Sequence, residues 1–134
     1  MTRDLLIGKL RGELNLISGL EFFDGDSEKI RLSRDFFDYS PVLNKQLEGC
    51  CADIVVRPHS VEAVVEIASA CKKNGVPLTL RGSGTGNYGQ CVPLQGGVVM
   101  LMGALSRLRH FDPSTGVVTV ESGCLLLDLQ KQLI

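Results

Sequence analysis

The pattern that most restricts the fold of this chain is a strand, a helix and a second strand between residues 53 and 81. Ile54-Val55-Val56 is a short β-branched run, which is typical of a buried strand. Val76–Leu80 predicts the next strand. Between them, apolar residues recur at steps of three and four and predict a helix with one apolar face: Val61, Val64, Val65, Ala68 and Cys71. Two strands joined through a helix predict a parallel βαβ unit with a right-handed crossover, and therefore an α/β fold.

Both ends of the predicted helix carry residues that are typical of helix ends. Ser60 is a suitable N-cap, because its hydroxyl can accept a hydrogen bond from the first turn. Gly75 is a suitable C-terminal cap. Glu62 in the first turn and Lys72-Lys73 in the last turn match the helix dipole.

Residues 1–40 are predicted to form an N-terminal helix and a connector. The helix is predicted over Asp4–Ser18, where apolar residues follow helical spacing: Leu6, Leu10, Leu14 and Ile17. The alternating acids of Asp24–Lys29 suggest a calcium loop, but Lys29 stands where an EF-hand needs glycine. A solvated turn is therefore predicted there. Phe36–Pro41 has no clear period and is interpreted as the connector.

Residues 41–134 are predicted to form the second unit, which contains the βαβ pattern. Val98–Met102 predicts a third buried strand. Leu108–Asp112 and Val117–Glu121 flank a Pro-Ser-Thr-Gly turn and predict a hairpin. The last segment predicts a helix with leucines on one face: Leu125, Leu126, Leu129 and Leu133. Because this pattern stops at Ile134 without a capping residue, we expect the chain to be part of a longer protein.

Composition restricts the functional class. Hydrophobic residues make up 44% of the chain and charged residues 22%, which is typical of a globular protein. Fourteen basic and fifteen acidic residues give a formal charge of −1, whereas a nucleic-acid binder usually has a basic excess. The longest apolar run, Val98–Met102, is far shorter than the roughly 20 residues of a membrane span. The N-terminus does not resemble a signal peptide, and a cytoplasmic location is expected.

The cysteines do not predict a metal site. Their number is odd, and neither a CxxC pair nor a Cys/His cluster with metal-ligand spacing occurs: Cys50, Cys51, Cys71, Cys91 and Cys124. We interpret them as free structural thiols, since unpaired cysteines commonly pack as small apolar residues.

The chemistry is expected in the segment RGSGTGNYGQ, residues 81–90, which directly follows the second predicted strand. Its four glycines allow positive φ and let the backbone approach a ligand closely. Successive backbone N–H groups in such a loop can bind phosphate oxygens. Side chains of Ser83, Thr85 and Asn87 can donate further hydrogen bonds, and Arg81 adds positive charge. The segment therefore predicts a diphosphate site, without selecting the nucleotide.

The glycine loop has three other interpretations. A P-loop is excluded, because no lysine closes the glycine run. Residues 84–89 fit the Rossmann pattern GxGxxG by letter, but the residues that follow contain Pro93 and Gly96-Gly97 and have no helical period. A glycine-rich turn without a ligand is the third interpretation, although glycine costs stability unless something requires it.

In the order of its motifs, the chain resembles a known flavoprotein family over about residues 40–134. The strand at Asp53–Pro58, the valine-rich helix, the strand VPLTL, the loop RGSGTGNYGQ, the strand GGVV and the hairpin with VTVESG carry the resemblance. They are similar to the start of the FAD-binding domain, of PCMH type, in the vanillyl-alcohol oxidase and p-cresol methylhydroxylase family. Within it, the sequence resembles the branch of glycolate oxidase and D-lactate dehydrogenase flavoproteins.

The resemblance implies an α/β (α+β) fold of PCMH type, in which an N-terminal βαβ subdomain is followed by the start of a second α/β subdomain. It also implies that FAD lies between the subdomains, with its diphosphate on the glycine loop. The cofactor-binding residues implied are Gly82, Ser83, Gly84, Thr85, Gly86, Asn87 and Gln90. Many family members attach the flavin through a histidine at the position of Thr85, so non-covalent FAD is expected. The two histidines, His59 and His110, are interpreted as ordinary polar residues.

The function implied is that of an FAD-linked oxidoreductase oxidising a CH–OH substrate such as a 2-hydroxy acid. No catalytic residue is assigned, because the substrate-binding part of such enzymes would follow Ile134, and the chain alone is expected to be inactive. The implied partners are a small-molecule substrate, with an electron-acceptor protein or a second copy of the chain left open. A nucleotide-binding module without catalysis and an inactive fragment remain the alternatives.

Overall fold

The computed structural model describes residues 2–134 as five helices and six strands. The helices are α1 (Arg3–Leu14), α2 (Asp26–Leu32), α3 (Pro41–Leu47), α4 (Val61–Asn74) and α5 (Leu126–Leu133). The strands are β1 (Leu20–Phe22), β2 (Ile54–Pro58), β3 (Leu78–Arg81), β4 (Val98–Leu101), β5 (Leu108–Asp112) and β6 (Val117–Val120). Short 3₁₀ turns occupy Phe37–Tyr39 and Met102–Ala104.

Four strands form the main sheet in the order β1-β2-β4-β3. Strands β2, β4 and β3 are parallel, and β1 pairs antiparallel with β2. The predicted parallel βαβ unit is confirmed, but its two strands are not neighbours, because β4 lies between them. Every residue of β4 is buried, as expected of a strand at the centre of a parallel sheet.

Strand β3 is an edge of this sheet, and it covers Leu78–Arg81, beginning two residues later than the predicted strand Val76–Leu80. Its residues are mostly half-buried, and Leu80 is 56% exposed. An edge strand needs only one neighbour, so its sequence carries fewer constraints than that of β4. The carboxyl end of β3 is consequently open to solvent on one side.

Helices α1 and α4 cover one face of the sheet. The core on this face is formed by apolar residues of both helices, of β2 and β4 and of the segment before β3: Leu10, Leu14, Ile54, Val56, Ile67, Cys71, Val76, Val98 and Met100. A smaller cluster covers the opposite face, where Leu32 of α2 joins Val55, Val99 and Leu101. The sheet is thus a middle layer that fixes where the carboxyl ends of its strands lie.

The predicted ends of α4 are confirmed. The Ser60 Oγ accepts a hydrogen bond from the Ala63 N–H at 3.1 Å, and Gly75 closes the helix with a φ of 63°. The predicted hairpin is also confirmed as the separate two-stranded sheet β5–β6. Its turn is closed by the Asp112 carboxylate, which accepts hydrogen bonds from Ser114 and Thr115, and these bonds lower the pKa of Asp112 to about 2.

The N-terminal residues depart from prediction in three places. The first helix ends at Leu14, earlier than the predicted Ser18. The predicted solvated turn at 24–29 is wrong in its second half, because α2 begins at Asp26 and buries Leu32 against β2 and β4. The predicted connector contains the 3₁₀ turn that places Phe37 in the interior. No helix within residues 2–134 is long and apolar enough to cross a membrane.

We expect Gly97→Ala to disrupt the start of β4 much more than Gly116→Ala disrupts the hairpin. Both glycines have φ near +75°, at 80° and 70°, where an L-residue costs about 1–2 kcal/mol. Only at Gly97 would a Cβ also clash, at 2.2 Å from the Pro77 carbonyl oxygen, whereas nothing lies within 4 Å at Gly116. Urea denaturation should give Gly97→Ala a loss above about 4 kcal/mol, in the range of severe core disruption. Equal losses of unfolding free energy in the two variants would contradict the close approach of Gly97 to Pro77, just before β4 and β3.

Candidate functional site

The glycine loop lies at the carboxyl end of β3, where the parallel strands of the main sheet end. Residues 82–97 form neither helix nor strand, so the Rossmann interpretation of the GxGxxG letters fails on its structural context. In open parallel sheets this end is where ligands bind. The loop is therefore placed correctly for a binding function.

Six consecutive backbone N–H groups of the loop are free. Within residues 2–134, the N–H groups from Gly82 to Asn87 donate to no protein acceptor. The remaining turn of the loop is bonded differently: the Tyr88 N–H donates to the Gln90 Oε1 at 3.0 Å, and the N–H groups of Gly89 and Gln90 donate to the Asp35 carboxylate. The loop thus has one arm with free donors and one arm whose donors are satisfied.

The free arm borders a cleft of about 300 Å³. The cleft is lined by the loop and by neighbouring residues of β3 and the N-terminal segment: Asp35, Leu80, Gly82, Ser83, Gly84, Thr85, Gly86, Gln90 and Cys91. Six of the seven residues implied by the family resemblance are therefore brought together. The seventh, Asn87, is exposed and does not line the cleft. The hydroxyl groups of Ser83 and Thr85 lie 3.2 Å apart beside the free N–H groups.

The Arg81 side chain, from which the sequence predicts a positive charge at the loop, lies behind the loop. Arg81 is buried, and its Nη1 donates to the Arg34 carbonyl and, at 3.2 Å, to the Cys91 Sγ. Gly84, with a φ of 70°, passes directly over the guanidinium: a Cβ there would stand 2.1 Å from the Arg81 Nη2. The missing side chain of Gly84 therefore lets a fixed positive charge lie directly beneath the free N–H groups.

Asp35 is the site residue that the sequence did not predict. It is only 6% exposed, and its Oδ2 accepts the N–H groups of Gly89 at 2.9 Å and Gln90 at 3.1 Å. Its Oδ1 accepts the Phe37 N–H at 3.1 Å. One acid in an irregular segment has no periodic or spaced partner, so the sequence carries no signal for this role.

Cys91 also lines the cleft without having been predicted. Burial raises the pKa of its thiol, and the nearby Arg81 charge only partly opposes this effect. The thiol is thus held in its neutral form, unlike the thiolate that a nucleophilic cysteine requires.

The remaining candidate groups lie outside the cleft. His59 follows β2, with its Nε2 3.3 Å from the Glu21 Oε2, and His110 lies on β5. Neither histidine lines the cleft at the glycine loop. Among residues 2–134, no three His, Cys, Asp or Glu side chains are grouped so that they could hold a metal ion.

A second, larger groove continues from this cleft along the open edge of β3. Its volume is about 480 Å³, and Leu80 and Gln90 line both spaces. The groove is lined by Leu78, Val92 and Leu94 among others. The edge of the sheet therefore has a polar end at the loop and a more apolar continuation beside it.

Comparison with known proteins identifies the family. The family model described as an FAD-binding domain matches residues 52–134, which include β2, α4, β3, the loop, β4 and the hairpin. The chain belongs to this family of FAD-binding domains. FAD is accordingly the cofactor of the domain, and its diphosphate matches the free N–H groups of the loop in charge and hydrogen bonding.

The relatives of this FAD-binding domain are oxidoreductases. The chain is 30% identical to the glycolate oxidase subunit GlcD of Bacillus subtilis over 120 residues, which are 90% of this chain and 24% of that protein. It is 32% identical to a D-lactate dehydrogenase of Anaerostipes hadrus over 79 residues, 59% of this chain and 17% of that protein. The chain thus spans about a quarter or less of the relatives it matches.

The fold is shown by a solved structure. Substrate-bound p-cresol methylhydroxylase superposes on 99% of this chain and 25% of its own, with a TM-score of 0.71 at 14% identity. The predicted PCMH-type fold is confirmed.

We expect Arg81→Met to destabilise the chain, because it removes a buried donor and leaves the Arg34 carbonyl unpaired. Losing a buried hydrogen bond from a charged group costs about 1–3 kcal/mol, measured as free energy of unfolding in urea. The control is Arg31→Met, since Arg31 is exposed and forms no ion pair within residues 2–134. Equal stability of the two variants would contradict the buried position of the Arg81 guanidinium.

Proposed function

We propose that this chain holds the FAD diphosphate on the backbone of Gly82–Asn87, as part of an oxidoreductase that oxidises a 2-hydroxy acid. The observation that carries the proposal is the run of six free N–H groups above a buried guanidinium. Unpaired backbone donors cost stability unless water or a ligand accepts from them. A diphosphate offers several charged acceptors within the length of such a run.

The glycines let this backbone meet the diphosphate directly. With no Cβ at Gly82, Gly84 or Gly86, the phosphate oxygens approach the N–H groups closely. The hydroxyls of Ser83 and Thr85 bond each other at 3.2 Å, which leaves one of the two O–H groups as a further donor beside the loop. The Arg81 charge attracts the diphosphate from behind the loop, without direct contact. Because Arg81 is buried, this electrostatic attraction is stronger than it would be in water.

Bound FAD supplies the redox chemistry by accepting a hydride from the substrate. The residues of this chain hold and orient it: the sheet fixes the end of β3, and the loop fixes the diphosphate relative to that end. Gln90 holds the turn of the loop closed through its bond from the Tyr88 N–H. No catalytic residue is assigned within this chain.

The attachment of FAD is proposed to be non-covalent. Many members of the family carry a histidine where this chain has Thr85, and within residues 2–134 neither histidine lines the cleft. A threonine hydroxyl donates a hydrogen bond to phosphate but does not form the usual histidyl link.

Denaturing the native protein in acid should release its flavin into the supernatant.

The proposed substrate class rests on the relatives. Glycolate and D-lactate, named in two of them, are both 2-hydroxy acids. Their shared CH–OH beside a carboxylate is a suitable hydride donor to a flavin.

The proposal also includes a cytoplasmic location. Its partner is either an electron-acceptor protein or a second copy of the chain.

We expect Gly84→Val and Gly82→Val to weaken FAD binding in the native protein for different reasons. Valine at Gly84 must adopt positive φ and displace the Arg81 guanidinium, whereas nothing in the protein lies within 4 Å of a Cβ at Gly82. A loss at Gly82 therefore reports on the ligand alone. Each affinity should fall at least about tenfold, a cost of about 1.4 kcal/mol, as measured by flavin fluorescence on titrating the apoprotein.

The control for this experiment is Gly12→Val on α1, where a Cβ also meets nothing within 4 Å. It should retain the affinity of the wild type. Undiminished flavin content in both loop variants would refute the assignment of the diphosphate to this loop.

Anaerobic mixing of the native protein with 2-hydroxy acids should bleach the visible absorbance of its flavin. Glycolate and the separate enantiomers of lactate and 2-hydroxyglutarate test the class and its handedness. Ethanol serves as the control, because it has a CH–OH but no carboxylate. Dithionite should reduce the flavin in every sample. Bleaching by dithionite but by none of the acids would favour a nucleotide-binding module without this activity.

A further inference from the structure

We propose that Asp35 is a positioning residue for FAD: its buried carboxylate anchors the satisfied arm of the glycine loop, so that the free arm faces the diphosphate. The inference rests on the proposed function, since it assigns a role within the same site. Asp35 lies outside the segment 52–134 matched by the family model. It therefore adds a residue that the family match does not contain.

The hydrogen bonds of Asp35 join two distant segments. The carboxylate accepts two N–H groups from the loop, those of Gly89 and Gln90, and one from its own segment, that of Phe37. In return, the Phe36 N–H donates to the Gly86 carbonyl at 2.8 Å. The N-terminal segment thus holds both ends of the turn from Gly86 to Gln90.

Apolar packing reinforces the same connection. Phe37 of the 3₁₀ turn, Leu47 of α3 and Val92, two residues after the loop, form a small buried cluster. Gly89, at a φ of 78°, lies so close to α3 that a Cβ would stand 2.6 Å from the Leu47 Cδ1. The satisfied arm is therefore fixed by charge-assisted hydrogen bonds and by packing, which leaves it little freedom to shift.

Because Asp35 is negatively charged, repulsion of the diphosphate and positioning of the loop predict opposite effects of its removal on FAD binding. A carboxylate that lines a diphosphate cleft repels the ligand, so its removal would tighten FAD binding if repulsion were its main effect. If positioning is its main effect, removal weakens binding despite the lost repulsion. Asparagine accepts through one terminal atom only. Whichever way the amide of Asp35→Asn is turned, its NH2 group faces either the two loop N–H groups at the Oδ2 position or the Phe37 N–H at the Oδ1 position, and the negative charge that strengthens the remaining bonds is lost.

The experiment compares Asp35→Asn with Asp38→Asn in the native flavoprotein. Asp38 is exposed, lies three residues further along the same segment and pairs with Arg34, so the control carries the same change of charge. Each apoprotein is titrated with FAD and with riboflavin, which lacks the diphosphate. Circular dichroism at the titration temperature confirms that each variant is folded.

We expect Asp35→Asn to weaken FAD binding at least about tenfold while riboflavin binding stays within about twofold of the wild type. Asp38→Asn should leave both affinities unchanged. FAD binding that is unchanged or tighter in Asp35→Asn, or an equal loss for FAD and riboflavin, would overturn the role of Asp35. A wild type that binds riboflavin as tightly as FAD would instead contradict the diphosphate site itself.

Hydrogen–deuterium exchange on the wild-type apoprotein tests the same proposal if Asp35→Asn does not fold. The N–H groups of Gly89 and Gln90 should exchange slowly, and those from Gly82 to Asn87 rapidly. Addition of FAD should slow the second group and leave the first unchanged. Equal exchange of the two groups in the apoprotein would overturn the anchoring by Asp35.

Discussion

The division of the glycine loop into a satisfied and a free arm depends on the three hydrogen bonds accepted by the Asp35 carboxylate. A loop with four glycines has many accessible conformations, and freezing it on binding would cost conformational entropy. Contacts that fix the turn from Gly86 to Gln90, which contains the satisfied arm, meet part of that cost during folding. The free N–H groups can then meet a charged ligand without a further large loss of entropy.

The charges beneath the loop follow from the same geometry. Arg81 is buried behind Gly84, and Asp35 is buried beside Gly86. Within residues 2–134, Arg81 and Asp35 form no ion pair with each other. Arg81 donates to a backbone carbonyl and a thiol, and Asp35 accepts from backbone N–H groups. The cation lies under Gly84 of the free arm, whereas the anion accepts the N–H groups of Gly89 and Gln90 in the satisfied arm. This arrangement is compatible with the proposed diphosphate at the free arm.

Local signals in the sequence were sufficient for the elements whose ends are set by neighbouring residues. The caps of α4 and the turn at Asp112 depend on side chains only a few residues away, and both were predicted. Helix α2 was missed because its stability comes from burying Leu32 on the sheet, which the charged stretch before it conceals. The central place of β4 could have been inferred from its unbroken apolar run, because a strand covered on both faces has no polar alternation.

The residues of the candidate site also fall into two groups, those that local sequence predicts and those that depend on distant partners. The glycine loop is predicted as a binding site from its own residues, because close approach of a backbone to a ligand requires glycine, and its contacts with the cofactor remain a prediction. Asp35 was not predicted, since its partners lie 54 and 55 residues further along the chain and no periodicity links them. The predicted boundary between residues 40 and 41 remains a prediction, but β1 pairs with β2 across it, and Leu10 and Leu14 pack in one core with Ile54 and Val98. Without the residues before 52, the sheet would lose α1 from one face and α2 from the other, and the loop would lose its bonds to Asp35. The segment before residue 52 therefore belongs physically to the unit that presents the loop, although the family pattern begins after it.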